Sequence, residues 1–262
     1  MKRIRVLTVA DMHQHRWLYD ELARSVATHL PDVVALVLDC LEGGELNGEH
    51  LSPEECAERL AALPCEVVFT SGNHDTYSFE PFIERWQQSG KPLHALHCEA
   101  VAFGPLVVVG FPCSFGNDRF FLMGRKSKTM DFEEWLPLLG SKYGKAVRTL
   151  WLMHEPPART KLCPPDGFMA GLEEWREAIE RFRPWVTVHG HDHITPVRHE
   201  TWSDTIGNTI CLNVGQPHQS MKSPKLLNYC VLDFKFAGNE PSLPEKVTIT
   251  TFTGGESKTT PV

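Results

Sequence analysis

A chain of 262 residues, 42% hydrophobic and 23% charged, is long enough to bury one sizeable core and has the composition of an ordinary folded globule. Its 26 basic against 33 acidic residues leave a formal charge of -7, which disfavours a general electrostatic grip on nucleic acid. Eight cysteines without a C-x-x-C pair fit a reduced, cytoplasmic setting, and no apolar run is long enough to span a bilayer or to act as a signal peptide. The 13 histidines are a surplus that points towards metal.

Residues 4–10 read as a buried strand running into Asp11, Met12 and His13. Trp17, Leu18, Leu22, Val26 and Leu30 recur at helical spacing and predict a helix packed back on that strand. Residues 33–38, nearly unbroken in Val, Leu and Ala, make a strand covered on both faces that ends at Asp39. After a Gly- and Asn-rich loop, Ser52, Pro53, Glu54 and Glu55 form a capping box with Pro at the first helical position. Residues 66–70 are the third strand, and they deliver Gly72, Asn73, His74 and Asp75 in a tight loop. Strand and helix thus alternate, with polar residues at the carboxyl ends of the strands, where open α/β sheets place their sites.

A short helix is predicted over 80–88 and shorter strands over 93–102 and 106–110. Residues 111–130 read as a long irregular loop, and a loop of that length in a compact domain is functional or disordered. Its Arg119 can hold a phosphate and its Phe115 can stack on a base, so these two are the candidate substrate contacts; the alternative is a solvated charged loop. A helix over 131–139 and a strand over 146–153 ending at His154 follow, then a Pro-rich span and a helix over 172–182. The strand over 185–188 closes in His189, Gly190, His191, Asp192 and His193. Alternation across 194–252 predicts antiparallel strands. One domain over 1–253 with a flexible tail at 254–262 is the expected organisation.

Asp11, His13, Asp39, Asn73, His154, His191 and His193 are oxygen or nitrogen donors at predicted strand ends, so one sheet edge can gather them. Asp11 and His13, like His191 and His193, are two apart, and in extended backbone such side chains point the same way. A carboxylate such as Asp39 can bridge two ions, and ions about 3.5–4 Å apart clamp the attacking and leaving oxygens at phosphorus. The plainer alternative is a set of solvated loop residues. His189 reads as a packed strand histidine, Glu42 as a solvated acid, and Asn213 with Gly215 as a turn.

The order Asp-x-His, Asp, Gly-Asn-His-Asp, His, Gly-His-x-His over residues 11–193 resembles the calcineurin-like metallophosphoesterase superfamily. The resemblance implies a four-layer α/β/β/α sandwich with two mixed β-sheets. It implies one divalent ion on Asp11, His13, Asp39 and His193, and a second on Asp39, Asn73, His154 and His191. His74 then corresponds to the catalytic acid and Asp75 to the residue that orients it. Oxygen and nitrogen ligands without thiolate suit Mn, Fe, Zn or Ni. The implied activity is phosphoester hydrolysis, expected to be that of a phosphodiesterase on a small nucleotide-like substrate, with no extended nucleic acid and no membrane as partner. A phosphomonoesterase, a nuclease and a non-catalytic scaffold of the same fold are the alternatives. Two positions depart from the pattern: Leu38 stands where the family usually has Gly, and Ala10 where it has Ser.

Overall fold

Residues 1–39, 50–75, 88, 90, 94–96, 98–111, 121–122, 125–126, 132–164, 166–167, 169–216, 227–253 and 256–261 are described by the computed structural model. The first half follows the predicted periodicities: β1 (Lys2–Ala10), α1 (Arg16–His29), β2 (Val33–Val37), α2 (Pro53–Ala61) and β3 (Glu66–Thr70). Helix α2 starts at the expected capping box. Ser52 Oγ accepts from the Glu55 N–H at 3.2 Å, and the Glu55 carboxylate accepts from the Ser52 N–H at 2.8 Å. Then come β4 (His94–Ala95), β5 (Glu99–Phe103), β6 (Leu106–Gly110), the short hairpin β7 (Phe121–Leu122) and β8 (Arg125–Lys126), and α3 (Phe132–Tyr143). A 3-10 turn (Gly144–Arg148) leads to β9 (Leu150–Leu152), α4 (Glu173–Phe182), β10 (Val186–His189) and α5 (Thr195–His199). The chain ends in β11 (Ser203–Ile206), β12 (Thr209–Asn213), β13 (Tyr229–Phe236), β14 (Lys246–Thr253) and β15 (Glu256–Pro261).

Two mixed sheets result, of order β15-β14-β13-β1-β2-β3-β4 and β11-β12-β10-β9-β6-β5. In the first, β1, β2, β3 and β4 run parallel while β13 and β14 run antiparallel to their neighbours. In the second, β12, β10, β9 and β6 are parallel and both edges are antiparallel. Parallel strands put their carboxyl ends on one side, which is what gathers the donors.

Alternation within the strands divides the apolar residues between three layers. Val6, Ala10, Val108, Leu152, Val188 and Leu232 fill the space between the sheets. Leu7, Val9 and Val34 face outward against Leu18, Leu22 and Leu60 of α1 and α2. Val107, Val109 and Trp151 face the other way against Leu136, Trp175 and Ile179 of α3 and α4. Each fully buried aliphatic side chain contributes about 1.5–3 kcal/mol. The layers are helix, sheet, sheet, helix, as the resemblance implies.

Four local expectations are corrected. The strand over 146–153 shrinks to three residues because Gly144, at φ 56°, starts a 3-10 turn whose Val147 carbonyl accepts the Trp151 indole N–H at 2.6 Å. The strand over 93–102 divides at Leu96, whose N–H bonds to the Phe69 carbonyl, so β4 stays in the first sheet and β5 crosses to the second. Residues 195–199, expected as strand, are helical because Asp192 Oδ1 accepts the N–H groups of Ile194 and Thr195. Residues 256–261, expected as a frayed tail, form an edge strand on β14, with the Thr250 and Thr259 hydroxyls bonded at 3.0 Å; β-branched threonine pairs well across strands. The helix over 80–88 and the loop over 111–130 lie mostly outside the described residues.

Leu232 is 0% exposed on β13, between the two sheets. Leu232→Ala is expected to cost about 2–5 kcal/mol. At about 2–4 °C per kcal/mol for a chain of this size, that lowers the thermal midpoint by roughly 5–20 °C. An unchanged melting curve would contradict the inter-sheet placement.

Candidate metal centre and active site

The backbone brings the strand ends together before any side chain does. The Ala10 N–H bonds to the Val214 carbonyl, that of Asp11 to Val37, and that of His13 to Asp39, stitching the ends of β1, β2 and β12. Asp11 (φ 56°), His13 (φ 41°) and His191 (φ 65°) sit in the left-handed region that L residues seldom occupy. The two-apart argument required extended backbone, and this is the correction: tight turns, not strand pleating, aim these side chains. Such strain persists only where its surroundings over-determine it, and it clusters at functional sites.

All seven expected donors converge. Asp11, His13, Asp39 and His193 each bring a ligand atom within 4.8 Å of the others, and the Nε2 atoms of His13 and His193 lie 3.1 Å apart. Asn73 Oδ1 is 2.8 Å from His154 Nε2 and 2.9 Å from His191 Nδ1. Asp39 lies between the two groups, its Oδ2 being 3.9 Å from His13 Nε2 and 3.7 Å from His154 Nε2. His154 Nδ1 is 3.7 Å from Asp11 Oδ1, which is buried without a hydrogen bond. A buried polar atom left in that state costs about 1–3 kcal/mol. Carboxylate oxygens and imidazole nitrogens crowded in this way, with no thiolate, fit divalent cations.

His74 stands beside this cluster. Its side chain is 42% exposed, its ring lies edge-on to that of His13 at 5.7 Å, and its Nε2 is 3.9 Å from Asp39 Oδ2. Its backbone N–H donates to Asp39 Oδ1 at 2.6 Å. Asp75 Oδ2 accepts the N–H of Gly72 at 2.7 Å and closes the loop that carries Asn73 and His74.

Burial sets the protonation states. It pushes the Asp11 carboxyl up to about 6, with the His193 imidazole pulling the other way. It pushes His191 down to about 4 and His154 well below its ordinary value, each lowered further by neighbouring imidazoles. Neutral imidazoles are the form that binds metal. His189, also pushed by burial to about 4, donates from Nδ1 to the Glu155 carbonyl at 2.9 Å and accepts at Nε2 from Thr187 at 2.8 Å. It faces the helical layer as a packed strand histidine.

Residues outside the donor set hold it in place. His193 Nδ1 donates to the Gln216 carbonyl at 2.6 Å, which leaves Nε2 for the centre. The Gln216 side chain donates to the carbonyls of Ala10, Val214 and Asn228, joining the end of β1 to the segment that orients His193. Asn213, read from sequence as part of a plain turn, donates to the Gly190 and Asp192 carbonyls and so fixes the loop of His191 and His193. A Cβ on Gly190 would come within 2.5 Å of Asp11 Oδ1, so only glycine lets this loop approach the carboxylate. Gln216 was missed in the sequence; a glutamine after Asn213 and Gly215 at a strand end was the available signal. Arg119, Phe115 and Glu42 lie outside the described residues.

A sandwich of this topology with Asp, His and Asn donors at its strand ends defines a metal-dependent hydrolase of phosphoester bonds. Residues 4–195 match the calcineurin-like phosphoesterase family, and the chain belongs to it. Among solved structures it is similar to TT1561 of Thermus thermophilus, with TM-score 0.54 and 12% identity over 99% of each chain. It is similar also to a protein described as a novel archaeal phosphodiesterase, with TM-score 0.50 and 9% identity over 99% of this chain and 100% of that one. GAP50, described as the anchor in the inner membrane complex of Plasmodium, matches with TM-score 0.53 and 8% identity over 99% of this chain and 88% of its own. At these identities the likeness is one of fold. A comparison with curated proteins gave no match. Among the described residues no helix is long and apolar enough to cross a membrane.

Two outcomes are expected of the centre. Gln216→Ala keeps the main-chain carbonyl that meets His193 but removes the side-chain bonds that hold that segment to Ala10 and Asn228, and should weaken divalent-metal binding by about tenfold; unchanged affinity in a Mn²⁺ titration would sink that role. Because Asp11 holds its proton below about 6, metal must displace it there. Affinity should therefore fall from about pH 7 to about pH 5, and a flat profile would contradict a buried Asp11 ligand.

Proposed function

We propose that this protein is a phosphodiesterase acting on a small, nucleotide-like ester through two divalent ions, drawn from Mn, Fe, Zn or Ni. Asp11, His13, Asp39 and His193 would hold one, and Asp39, Asn73, His154 and His191 the other. The observation that carries the reading is the position of Asp39, within 3.9 Å of His13 on one side and 3.7 Å of His154 on the other. When bound, such a pair supplies Lewis acidity towards the phosphoryl oxygens and lowers the pKa of water.

The remaining work falls to the chain. His74 is exposed enough to meet a substrate, and its bond to Asp39 fixes it at the edge of the donor cluster. It serves as the general acid that gives a proton to the leaving alkoxide. Asp75 acts through the loop, holding the Gly72 N–H so that Asn73 and His74 keep their places. The preference for a small diester rests on the sequence: Arg119 for a second phosphate, Phe115 for a base, and a charge of -7 that disfavours long DNA. The scaffold reading has a fold precedent in the Plasmodium anchor, but a scaffold has no need for seven convergent donors with His74 beside them.

His74→Ala should lower kcat by about 10²–10⁴-fold with metal content unchanged. If the wild type loaded with Mn²⁺ hydrolyses nothing, the scaffold reading replaces this one. With chromogenic mono- and diesters, kcat/KM should favour the diester, and equal turnover would remove that preference.

A further inference from the structure

A second cleft, of about 850 Å³, opens where the two sheets part at their β11 and β15 edges. Thr205 pairs with Ile210 and Thr260 with Ile249, and both isoleucines belong to the inter-sheet core, so the two threonines point inward as well. Inward positions of a sandwich are ordinarily apolar. Here the edge strands present hydroxyls instead, a polar wall above an apolar floor.

Charge singles the cleft out further. Arg148, Lys161, Arg183 and Lys258 line it against one carboxylate, Asp204, in a chain whose formal charge is -7. Asp204 Oδ2 is engaged by the backbone N–H of Lys161. The Arg148 guanidinium is held by the Arg183 carbonyl through Nε at 3.2 Å and a terminal nitrogen at 3.0 Å, and among the described residues its other terminal nitrogen is unengaged. Among the described residues, none of the four cations has an ion pair with a carboxylate. Trp185 and Pro184 add flat apolar surface beside them.

Arg148 and Trp185 precede β9 and β10, whereas His154 and His191 follow those strands. About 20 Å of extended chain separates Trp185 from His191, so the cleft is not the mouth of the metal centre. We infer that it is a second ligand site, which takes an organic phosphate of nucleotide size. Its phosphate would meet Arg148, Arg183 and Lys258, and its apolar part the floor of Trp185, Ile210 and Ile249. Arginine pairs with phosphate through two parallel bonds, and a pocket of this volume suits such a ligand.

The test is amide NMR on the metal-loaded protein, titrated with a nucleoside bisphosphonate that cannot be hydrolysed and, separately, with inorganic phosphate. The Gly207 and Asn208 amides and the Trp185 indole, which line the cleft, should shift saturably with the nucleotide analogue. In the double variant Arg183→Glu, Lys258→Glu the apparent Kd should rise at least about tenfold, with basal ester turnover unchanged as the check on folding. Absence of saturable shifts at these three reporters would overturn the site, as would the same affinity in the double variant. Equal affinity for inorganic phosphate would overturn the organic class of ligand.

Discussion

Burying Asp11 and Asp39 at the end of two parallel strands is the constraint from which the rest of the structure follows. Both are at most 1% exposed, in a place where a lone carboxylate is costly. The fold compensates with the backbone N–H of His191 on Asp11 and that of His74 on Asp39, and with the imidazoles of His13, His154 and His193. Apart from His13, all of these groups are distant in sequence from the carboxylate they meet, so the sheets must come together before the carboxylates are satisfied. The same burial crowds carboxylate oxygens whose charge a divalent cation would offset.

The parts legible in the sequence were those where period and burial agree. β1, β2 and β3 are apolar runs because helices or a second sheet cover both their faces, and the donors stand out where each run breaks. The seven donors could be named because metal chemistry restricts the residue types. What escaped detection depends on distant partners. Gln216 acts on Ala10 across 206 residues, and its place after Asn213 and Gly215 at a strand end marks a turn without naming that partner. β15 reads as a polar tail because residues 256–260 are exposed and only their pairing with β14 sets their place. The break at Leu96 is set by a bond to Phe69, which decides which sheet each half of the predicted strand joins.

Strain and close approach at the centre are coupled. Asp11, His13, Gln14 and His191 all hold positive φ, at about 1–3 kcal/mol each for such conformations. The turn that carries three of the four follows directly on β1, which is paired on both sides, to β2 and β13. The candidate centre thus lies where the paired strands of the first sheet end.

Leu38 shows how a departure from the family pattern is absorbed. The usual Gly before the bridging aspartate suggests that a side chain there would obstruct the site. In this chain Leu38 has no left-handed φ, its N–H bonds to the Thr70 carbonyl at 2.9 Å, and its side chain lies in the cluster beneath α1 and α2, facing away from the donors. The tight approach is instead met on the opposing loop. A Cβ on Gly72 would come within 2.6 Å of both the Leu38 carbonyl oxygen and Asp39 Cβ. The requirement for a missing side chain therefore falls at Gly72, across the gap, and Asp39 keeps its place between the two halves of the centre with a leucine before it.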